Sequence, residues 1–262
     1  MNRLKIGVRL GPLGLPLRRA LTEAARLGVA GVQVDAAGDL APNTLSQSGR
    51  RELLHLLRAH NLELSALGCP LRRGLDVAED QQPRLERVKA VMALSYELGP
   101  GVTVVEAGAV PEDVNSPRGQ LLSEALLALG QHGDRVGAVL ALETGLEAGA
   151  ALADFLKRFD TGGLAANFDP ANLLLHGHDP YDSARALRGR IAHVHARDAR
   201  RAGASRSAQE VPLGHGDIDW MELLGALEEV EYRGYLTVER EGGADRLADV
   251  AAGVAFLRRF VG

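Results

Sequence analysis

Cysteine is nearly absent from this chain, and its start lacks a secretory signal. The single cysteine, Cys69, has no second cysteine with which to form an internal disulfide. Disulfides are typical of exported proteins, whose leaders combine a basic start, an apolar stretch and small residues before the cleavage site. The first ten residues, MNRLKIGVRL, do not follow that order. We therefore expect a protein of the reducing cytoplasm.

Long apolar runs and a surplus of positive charge are also missing. No apolar run approaches the roughly 20 residues that a membrane-spanning helix needs. The chain has 30 Lys and Arg against 34 Asp and Glu, a formal net charge of −4. Such a balance gives no overall positive field that would attract nucleic acid or anionic lipid. These absences argue against membrane and nucleic-acid partners and favour a small-molecule partner.

The composition that remains is that of an ordinary globular protein. Of the 262 residues, 46% are hydrophobic and 24% are charged, so the chain can bury a large core. Its length matches the usual size of one α/β barrel. No linker, low-complexity tract or charge block divides it. We predict one domain over residues 1–262.

Short β-branched runs alternate with longer amphipathic stretches along the whole chain. This alternation predicts parallel strands joined by helical crossovers. Eight strands are predicted to begin near Leu4, Gly31, Leu62, Val102, Ala138, Leu164, Ile191 and Tyr235. Apolar spacings of three and four predict helices over 50–60, 84–99, 151–159 and 221–230. The predicted fold is α/β, a single (β/α)8 TIM barrel.

Two local signals refine this prediction. Asp219 followed by Glu222 is a capping-box arrangement, in which Asp219 caps a helix and Glu222 bonds back to the cap. The stretch 200–210, RRAGASRSAQE, is polar and rich in small residues. We interpret it as a long mobile loop over the functional site.

Four polar residues stand late in otherwise apolar predicted strands. They are Glu143, Asp169, His195 and Glu239, on strands five to eight. Active sites of α/β barrels lie at the carboxyl ends of the strands. Side chains alternate between the two faces of a strand. That alternation places the four on the same faces as Ala141, Asn167, His193 and Thr237, respectively. The opposite faces are apolar, so the four polar side chains should converge in the barrel mouth.

Two Glu, one Asp and one His form a mixed oxygen and nitrogen ligand set. Such a set suits Mn²⁺, Mg²⁺, Co²⁺, Fe²⁺ or Zn²⁺, and its lack of thiolate argues against a structural zinc. Any one of these residues alone is more often a helix cap or a loop anchor. Four on adjacent strands predict a site for one divalent metal ion, because buried carboxylates must be paired, hydrated or metal-bound. His193, two residues deeper than His195, is interpreted as orienting a metal ligand or filling the interior.

Further residues are candidates for contact with a substrate. They are Glu147, Asn172, His176, Arg197, Asp198 and His215. Arg197 can bind a substrate hydroxyl or phosphate and Asp198 can orient it, although an ordinary ion pair explains them equally well. Glu147 either reaches the site or begins the fifth helix. His176 lies on the loop after strand six, and the glycines that flank His215 indicate a tight turn.

The strings ALETG, NFDPANL, HVHARD, VPLGHGDIDW and LTVERE, taken in order, resemble the xylose-isomerase-like barrel superfamily. That superfamily includes sugar and sugar-phosphate isomerases and epimerases, inosose dehydratases and endonuclease IV. The resemblance implies that Glu143, Asp169, His195 and Glu239 bind one divalent metal. It also implies that the two glutamates serve as acid and base, as in the ketose 3-epimerases. Dimers or tetramers are common among the barrels that this chain resembles.

The chain departs from the ketose 3-epimerases at two positions. Those enzymes usually place a substrate-binding His three residues after the metal-binding Asp, where this chain has Asn172. Their Glu six residues beyond the first ligand falls at Gly149, with Glu147 nearby. The resemblance therefore does not imply a D-tagatose or D-psicose 3-epimerase.

We predict a metal-dependent isomerase or epimerase acting on a sugar or a sugar derivative. In this hypothesis one of Glu143 and Glu239 removes a proton beside a carbonyl and the other returns it, through a metal-stabilised enediolate. Three alternatives stay open. They are an inosose-type dehydratase with the same metal and base, an enzyme like endonuclease IV, and a non-catalytic barrel that binds a sugar.

Overall fold

Eight parallel strands close a barrel in the part of the chain that the structure describes. The structure is a computed structural model that describes residues 4–201 and 208–261. The barrel strands are β1 (Lys5–Arg9), β2 (Gly31–Asp35), β3 (Glu63–Gly68), β4 (Val102–Val105), β5 (Val139–Glu143), β6 (Leu164–Phe168), β7 (Ile191–Ala196) and β10 (Tyr235–Val238). Each strand pairs with its sequence neighbours, and β10 pairs with β1 to complete the ring. The predicted (β/α)8 barrel is confirmed.

Helices cover the outside of this ring. They are α1 (Leu17–Arg26), α2 (Gln47–Ala59), α3 (Gln81–Leu98), α4 (Pro117–Val136), α5 (Gly149–Leu156), α6 (Pro170–Leu175), α7 (Pro180–Ala186), α8 (Trp220–Glu229) and α9 (Arg246–Leu257). Their starts follow the sequence, since serine or aspartate caps α2, α4, α6, α7, α8 and α9. Among the described helices, none combines the length and the apolar character that crossing a bilayer requires.

The two faces of the barrel strands differ in polarity. Outward side chains such as Leu140, Phe168 and Leu236 are fully buried and belong to the large core shared with the helices. The interior holds only a small apolar cluster around Ala66, Val104 and Ala141. Above that cluster the interior is polar, because buried Gln33, Asn167, His193 and Thr237 point inward. The barrel therefore offers a polar floor beneath its carboxyl end.

A short hairpin follows β7 where a long loop was predicted. Strands β8 (Asp198–Arg201) and β9 (Ala208–Val211) pair antiparallel, with Ala199 opposite Glu210. The loop prediction over 200–210 is therefore wrong at both ends of that stretch, and residues 202–207 lie outside the described residues. The prediction failed because a two-stranded hairpin with polar side chains lacks the apolar alternation by which strands are recognised.

The predicted capping box at α8 is half present. The Asp219 carboxylate accepts hydrogen bonds from the backbone N–H groups of Met221 and Glu222. The Asp219 N–H, which Glu222 was predicted to satisfy, instead donates to the Tyr181 hydroxyl at 2.7 Å. Tyr181 lies on α7, so the start of α8 is bonded to the neighbouring helix as well as to its own first turn.

Candidate metal centre

Three of the predicted metal ligands converge at the carboxyl end of the barrel. Glu143 is the last residue of β5, Asp169 follows β6 and His195 lies near the end of β7. Each of the three offers a ligand atom, and these atoms all lie within 4.8 Å of one another. Adjacent parallel strands end at the same edge, so the register of β5, β6 and β7 creates this cluster directly.

The His195 ring is held so that one nitrogen faces the carboxylates. Its Nε2 lies 2.8 Å from Gln33 Oε1, which accepts that N–H across the barrel. Its Nδ1 lies 2.9 Å from Glu239 Oε2 and 3.8 Å from Glu143 Oε2. A metal-binding histidine usually donates its other N–H to an oxygen acceptor, which fixes the ring and its tautomer. Nδ1 is therefore the nitrogen that faces the carboxylates and that a metal would bind, although Asn167 Nδ2 also lies 3.0 Å from it.

Glu239 reaches the same nitrogen from the last barrel strand. Its carboxylate is fully buried, and Oε1 is ion-paired with Arg9 of β1. Oε2 approaches His195 Nδ1, yet it has no hydrogen bond of acceptable geometry. A buried carboxylate oxygen without a hydrogen-bond partner is costly. Coordination to a cation would remove that cost.

The two carboxylate oxygens of Asp169 have different partners. Its Oδ1 caps α6 by accepting from the Asn172 N–H at 2.8 Å. Its Oδ2 accepts from Arg197 Nη1 at 2.9 Å. The side chain is fully buried and opens toward Glu143 and His195. Because the cap fixes one oxygen, the other is directed into the barrel mouth.

The charges of this cluster depend strongly on one another. Burial opposes a charge on the His195 imidazole, but the Glu239 and Glu143 carboxylates raise its pKa to about 10. Burial likewise raises the pKa of Asp169 to about 6, although Arg197 opposes the shift. Burial opposes a charge on Glu239 too, yet His195 and Arg9 hold its pKa well below its usual range. The Glu239 and Glu143 carboxylates therefore stabilise a positive charge on the His195 imidazole.

The donor set is suited to a divalent metal ion. Three carboxylates and one imidazole, with no thiolate, match the hard to borderline ions Mn²⁺, Mg²⁺, Co²⁺, Fe²⁺ and Zn²⁺. Glu239 Oε2 has no hydrogen-bond partner, and His195 Nδ1 lies 2.9 Å from it. A cation bound to both atoms would satisfy them. Glu143, Asp169 and His195 could hold such an ion, and Glu239 lies beside them.

Manganese affinity is expected to rise with pH between about 6 and 9. At the His195 pKa of about 10 and below, a proton must leave the imidazole when a metal binds Nδ1. Below the Asp169 pKa of about 6, a second proton must leave. The association constant should then rise about tenfold per pH unit, and more steeply below pH 6. Calorimetry in buffers of different ionisation enthalpy counts these protons, and an affinity independent of pH would contradict Nδ1 as a ligand.

A cavity of about 200 Å³ opens beside the cluster. Its polar lining includes Glu106, Glu143, Asn172, His176, Arg197 and Glu241. Asn172 Nδ2 donates to Glu143 Oε1 at 3.0 Å, and Asn172 Oδ1 accepts from Arg197 at 3.4 Å. Of the predicted substrate contacts, the structure brings Asn172, His176 and Arg197 to this cavity.

The other three predicted substrate contacts point elsewhere. Glu147 is half-buried and accepts a hydrogen bond from the Val110 N–H at 3.0 Å. Asp198 accepts from the N–H groups of Ala199, Gly214 and Gly216 and from the Trp220 indole. His215 is exposed in the turn that Asp198 holds. Asp198 therefore shapes the loop that leads to α8.

His193 lies below the cluster and supports it. Its Nδ1 donates to Asn167 Oδ1 at 2.8 Å, and its Nε2 accepts from the Thr237 hydroxyl at 2.8 Å. Asn167 Nδ2 in turn lies 3.0 Å from His195 Nδ1. Burial lowers the pKa of His193 well below its usual range. The neutral His193 ring of β7 is thus hydrogen-bonded to both β6 and β10.

Several residues of the site are absent from the sequence prediction. Arg9, at the end of β1, contacts Glu239. Gln33, on β2, contacts His195. Glu241, after β10, contacts Arg197. Glu210 of β9 accepts from Arg197 Nε at 3.3 Å. The alternation of side chains along a strand, which places Glu143 inside the barrel, places Arg9 of β1 and Gln33 of β2 there as well. Glu210 carries no such signal, because its polar hairpin lacks apolar alternation.

The Cys69 thiol is expected to resist alkylation in the folded protein. It is 2% exposed, and burial raises its pKa to about 11 although Arg87 lies nearby. At pH 8 about one such thiol in a thousand is ionised, and the thiolate is the reactive form. Mass spectrometry should show fast labelling by iodoacetamide in urea and far slower labelling of the native protein. Equal rates in the two states would contradict the burial of Cys69.

The sequence as a whole matches a known family model. The model described as "Xylose isomerase-like TIM barrel" matches residues 21–260. The chain belongs to the xylose isomerase-like TIM barrel family. This membership agrees with the closed barrel and with the resemblance inferred from the strand-end strings.

Curated relatives and solved structures extend the comparison. Inosose dehydratase of Lacticaseibacillus casei is 28% identical over 138 residues, which is 46% of this chain and 46% of that protein. The chain thus matches less than half the length of that relative. The crystal structure of a xylose isomerase domain protein from Planctomyces limnophilus is 28% identical, with a TM-score of 0.86 over 98% of this chain and 97% of that one.

Two more distant structures share the fold. A 3-keto-D-glucoside 4-epimerase from E. coli is 18% identical, with a TM-score of 0.78 over 98% of this chain and 100% of that one. A xylose isomerase-like TIM barrel protein from Mycobacterium smegmatis, solved in complex with magnesium, is 18% identical. Its TM-score is 0.77 over 98% of this chain and 96% of that one. The relatives and neighbours named for an activity are enzymes, a dehydratase and an epimerase.

Proposed function

We propose that this protein is a divalent-metal-dependent isomerase or epimerase of a sugar or sugar derivative. The reaction is a proton transfer at the carbon beside a carbonyl group. One observation carries the proposal: the carboxylates of Glu143 and Glu239 approach the same nitrogen, His195 Nδ1, at 3.8 Å and 2.9 Å. They come from β5 and β10, which are separated in the ring by β6 and β7. A substrate bound between them has a carboxylate on each side.

The four residues Glu143, Asp169, His195 and Glu239 would hold the metal. When bound, a divalent ion supplies Lewis-acid stabilisation of the negative charge that develops on a carbonyl oxygen. Glu143 and Glu239 are the acid and base, one removing the proton and the other returning it to the opposite face or the neighbouring carbon. Each is held in place by a side chain of another strand or helix, Asn172 for Glu143 and Arg9 for Glu239.

A dehydratase is the second candidate, and the similarity to inosose dehydratase favours it. Both reactions begin with the same proton removal beside a carbonyl. In dehydration, a hydroxyl on the next carbon then leaves with a proton as water. Glu143 and Glu239 can serve either outcome, since one carboxylate must take a proton and the other must supply one.

A three-metal nuclease and a purely binding barrel are less well supported. Over residues 4–201 and 208–261, one group of three His and carboxylate residues has the spacing of a metal site. A cluster of three metals needs several more ligands than that group offers. A binding protein, in turn, has no need of a buried carboxylate on each side of its ligand. Failure to cleave an abasic duplex would complete the case against nuclease activity.

The experiment that tests the proposal is carbon–hydrogen exchange in deuterated water. The purified protein is loaded with Mn²⁺ for assays by mass spectrometry and with Mg²⁺ for NMR, then mixed with D-fructose, D-tagatose or 2-keto-myo-inositol. Deuterium gained beside the carbonyl with retention of all hydroxyls supports isomerisation or epimerisation. Loss of water supports the dehydratase. Absence of exchange and of dehydration across a wider set of ketoses and inososes would contradict both.

A further inference from the structure

The ladder between strands β7 and β10 ends just below the metal centre. Its last register pair is Ala196 with Val238. Glu239 is the first residue beyond it, and its N–H reaches the Ala196 carbonyl oxygen only at 3.4 Å. Yet Glu239 Oε2 lies 2.9 Å from Nδ1 of His195, which β7 carries. The contacts that hold the two chains together at this level therefore lie outside the strand ladder.

Glu210 of the hairpin strand β9 joins the two chains beyond this ladder. Its side chain is 12% exposed, and both carboxylate oxygens face donors. Oε1 accepts from Arg197 Nε at 3.3 Å and from the Glu241 N–H at 3.1 Å. Oε2 accepts from the Gly242 N–H at 2.8 Å and lies 2.8 Å from Arg240 Nη1. One carboxylate thus connects the continuation of β7 to the continuation of β10.

Arg197 extends this connection to a predicted metal ligand. Its Nη1 donates to Asp169 Oδ2 at 2.9 Å, and its Nη2 donates to Glu241 Oε2 at 3.0 Å. The guanidinium is planar and rigid, so a bond from Nε to Glu210 also sets the direction of Nη1. Glu210 in addition offsets the positive charge of Arg197, which opposes a metal ion bound at Asp169. Glu210 therefore favours a divalent ion at this centre through both position and charge.

Two glycines allow the loop after β10 to close around Glu210. A Cβ on Gly242 would stand 3.1 Å from Glu210 Oε2. Gly243 has a φ of +95°, which glycine adopts without strain, and a Cβ there would stand 2.9 Å from Asp249 Oδ2. The same Asp249 oxygen, on α9, accepts from Arg240 Nε at 2.8 Å. The loop thus leaves room for Glu210 and holds Arg240 beside it.

We propose that Glu210 is a positioning residue of the metal centre. It holds Arg197 against Asp169, and it holds the segment after Glu239 against the end of β7. Glu210 stands outside the set of residues that line the cavity beside the cluster, so it acts through its neighbours. This inference rests on the proposed function, since it concerns the metal centre of that same site.

Glu210→Gln tests this role. Glutamine keeps the size of the side chain but loses its charge and one acceptor oxygen. The matched control is Glu124→Gln, the same change at an exposed position on α4. Calorimetry measures the affinity of each protein for Mn²⁺, and the visible absorption of the Co²⁺-saturated proteins reports the ligand geometry. Thermal unfolding without metal measures the contribution of each residue to the fold alone.

The expected result is a loss of metal affinity together with a changed metal spectrum. Glu210→Gln should bind Mn²⁺ about 10–100-fold more weakly than wild type, the usual cost of losing a residue that orients a metal ligand. Its Co²⁺ spectrum should differ from that of wild type, and Glu124→Gln should match wild type in both measurements. A purely structural role would lower the unfolding midpoint of the metal-free protein and leave the Mn²⁺ affinity and the Co²⁺ spectrum unchanged.

Gly242→Ala provides a second test if Glu210→Gln does not fold. The added Cβ should displace the Glu210 carboxylate by a few tenths of an ångström without removing it. Mn²⁺ affinity should then fall by less than about tenfold. Unchanged Mn²⁺ affinity in folded Glu210→Gln, or in Gly242→Ala where the first variant does not fold, would overturn the positioning role.

The proposed function and the role of Glu210 can fail separately. A wild type that binds Mn²⁺ but catalyses neither carbon–hydrogen exchange nor dehydration would lose the proposed chemistry. The role of Glu210 would still stand if Glu210→Gln bound Mn²⁺ more weakly. Exchange by a wild type whose Mn²⁺ affinity Glu210→Gln shares would overturn the role of Glu210 alone. A wild type that binds neither Mn²⁺ nor Co²⁺ would overturn both.

Discussion

Replacing Glu239 by glutamine is expected to lower the rate of carbon–hydrogen exchange by about 10²–10⁴-fold, the usual contribution of a positioned acid or base. Glutamine has nearly the same shape and keeps an oxygen for Arg9, but it cannot take a proton from carbon. Its loss of charge also leaves the His195 imidazole with a weaker partner. The measurement is deuterium incorporation with saturating Mn²⁺, after metal content has been determined by mass spectrometry.

The control for this variant is Glu228→Gln, at an exposed position on α8. It makes the same chemical change far from the barrel mouth and should exchange at the wild-type rate. A Glu239→Gln protein with full metal content and full turnover would remove Glu239 from the acid–base pair. A protein that has lost its metal as well would have to be compared at a concentration of Mn²⁺ that restores occupancy.

Asp169→Asn is expected to weaken Mn²⁺ binding by at least about 100-fold. Loss of a residue that merely orients a ligand typically costs 10–100-fold in affinity, and a direct ligand should cost no less. The asparagine Oδ1 can still cap α6 at the Asn172 N–H, so the helix start should survive. Arg197 keeps Glu210 and Glu241 as partners. The substitution should therefore weaken metal binding much more than it lowers the stability of the fold.

Calorimetric titration with Mn²⁺ measures this effect directly. Asp160→Asn, at an exposed position before β6, is the matched control and should bind like wild type. Thermal unfolding without metal should give similar midpoints for the two variants. If Asp169→Asn bound Mn²⁺ as tightly as wild type, Asp169 would be a helix cap and an Arg197 partner only.

The fold was predictable because its signals are local and repeated. Each barrel strand is a short apolar run flanked by turn residues, and each polar residue at a strand end stands out against it. Glu143, Asp169 and His195 were found in this way, since neighbouring parallel strands bring equal positions together. Asp169 also shows how one residue can satisfy two predictions, because it is both the cap of α6 and a member of the cluster.

What the sequence did not predict depends on contacts between distant residues. Arg9 and Glu239 are 230 positions apart, and their ion pair exists only because β1 and β10 pair with each other. Asp198 seemed available to a substrate, but the turn at Gly214 and Gly216 folds back onto its carboxylate. Asn172 occupies the position of a substrate-binding His in the ketose 3-epimerases, and its amide bonds to Glu143 instead. These contacts are set by which residues the fold brings together, and a local sequence pattern does not reveal them.

The ion pair between Arg9 and Glu239 joins the first barrel strand to the residue that follows the last one. Glu143, Asp169 and His195 emerge from the ribosome in sequence, but the third carboxylate, Glu239, arrives with the last strand, which must pair with the first one. A cation that binds all four residues would therefore stabilise the folded chain in which β1 and β10 are paired. At a free metal concentration of 100 times Kd, such linkage adds about 2.7 kcal/mol to the closed ring. Under the proposed function, the same metal ion would therefore also stabilise the closed barrel.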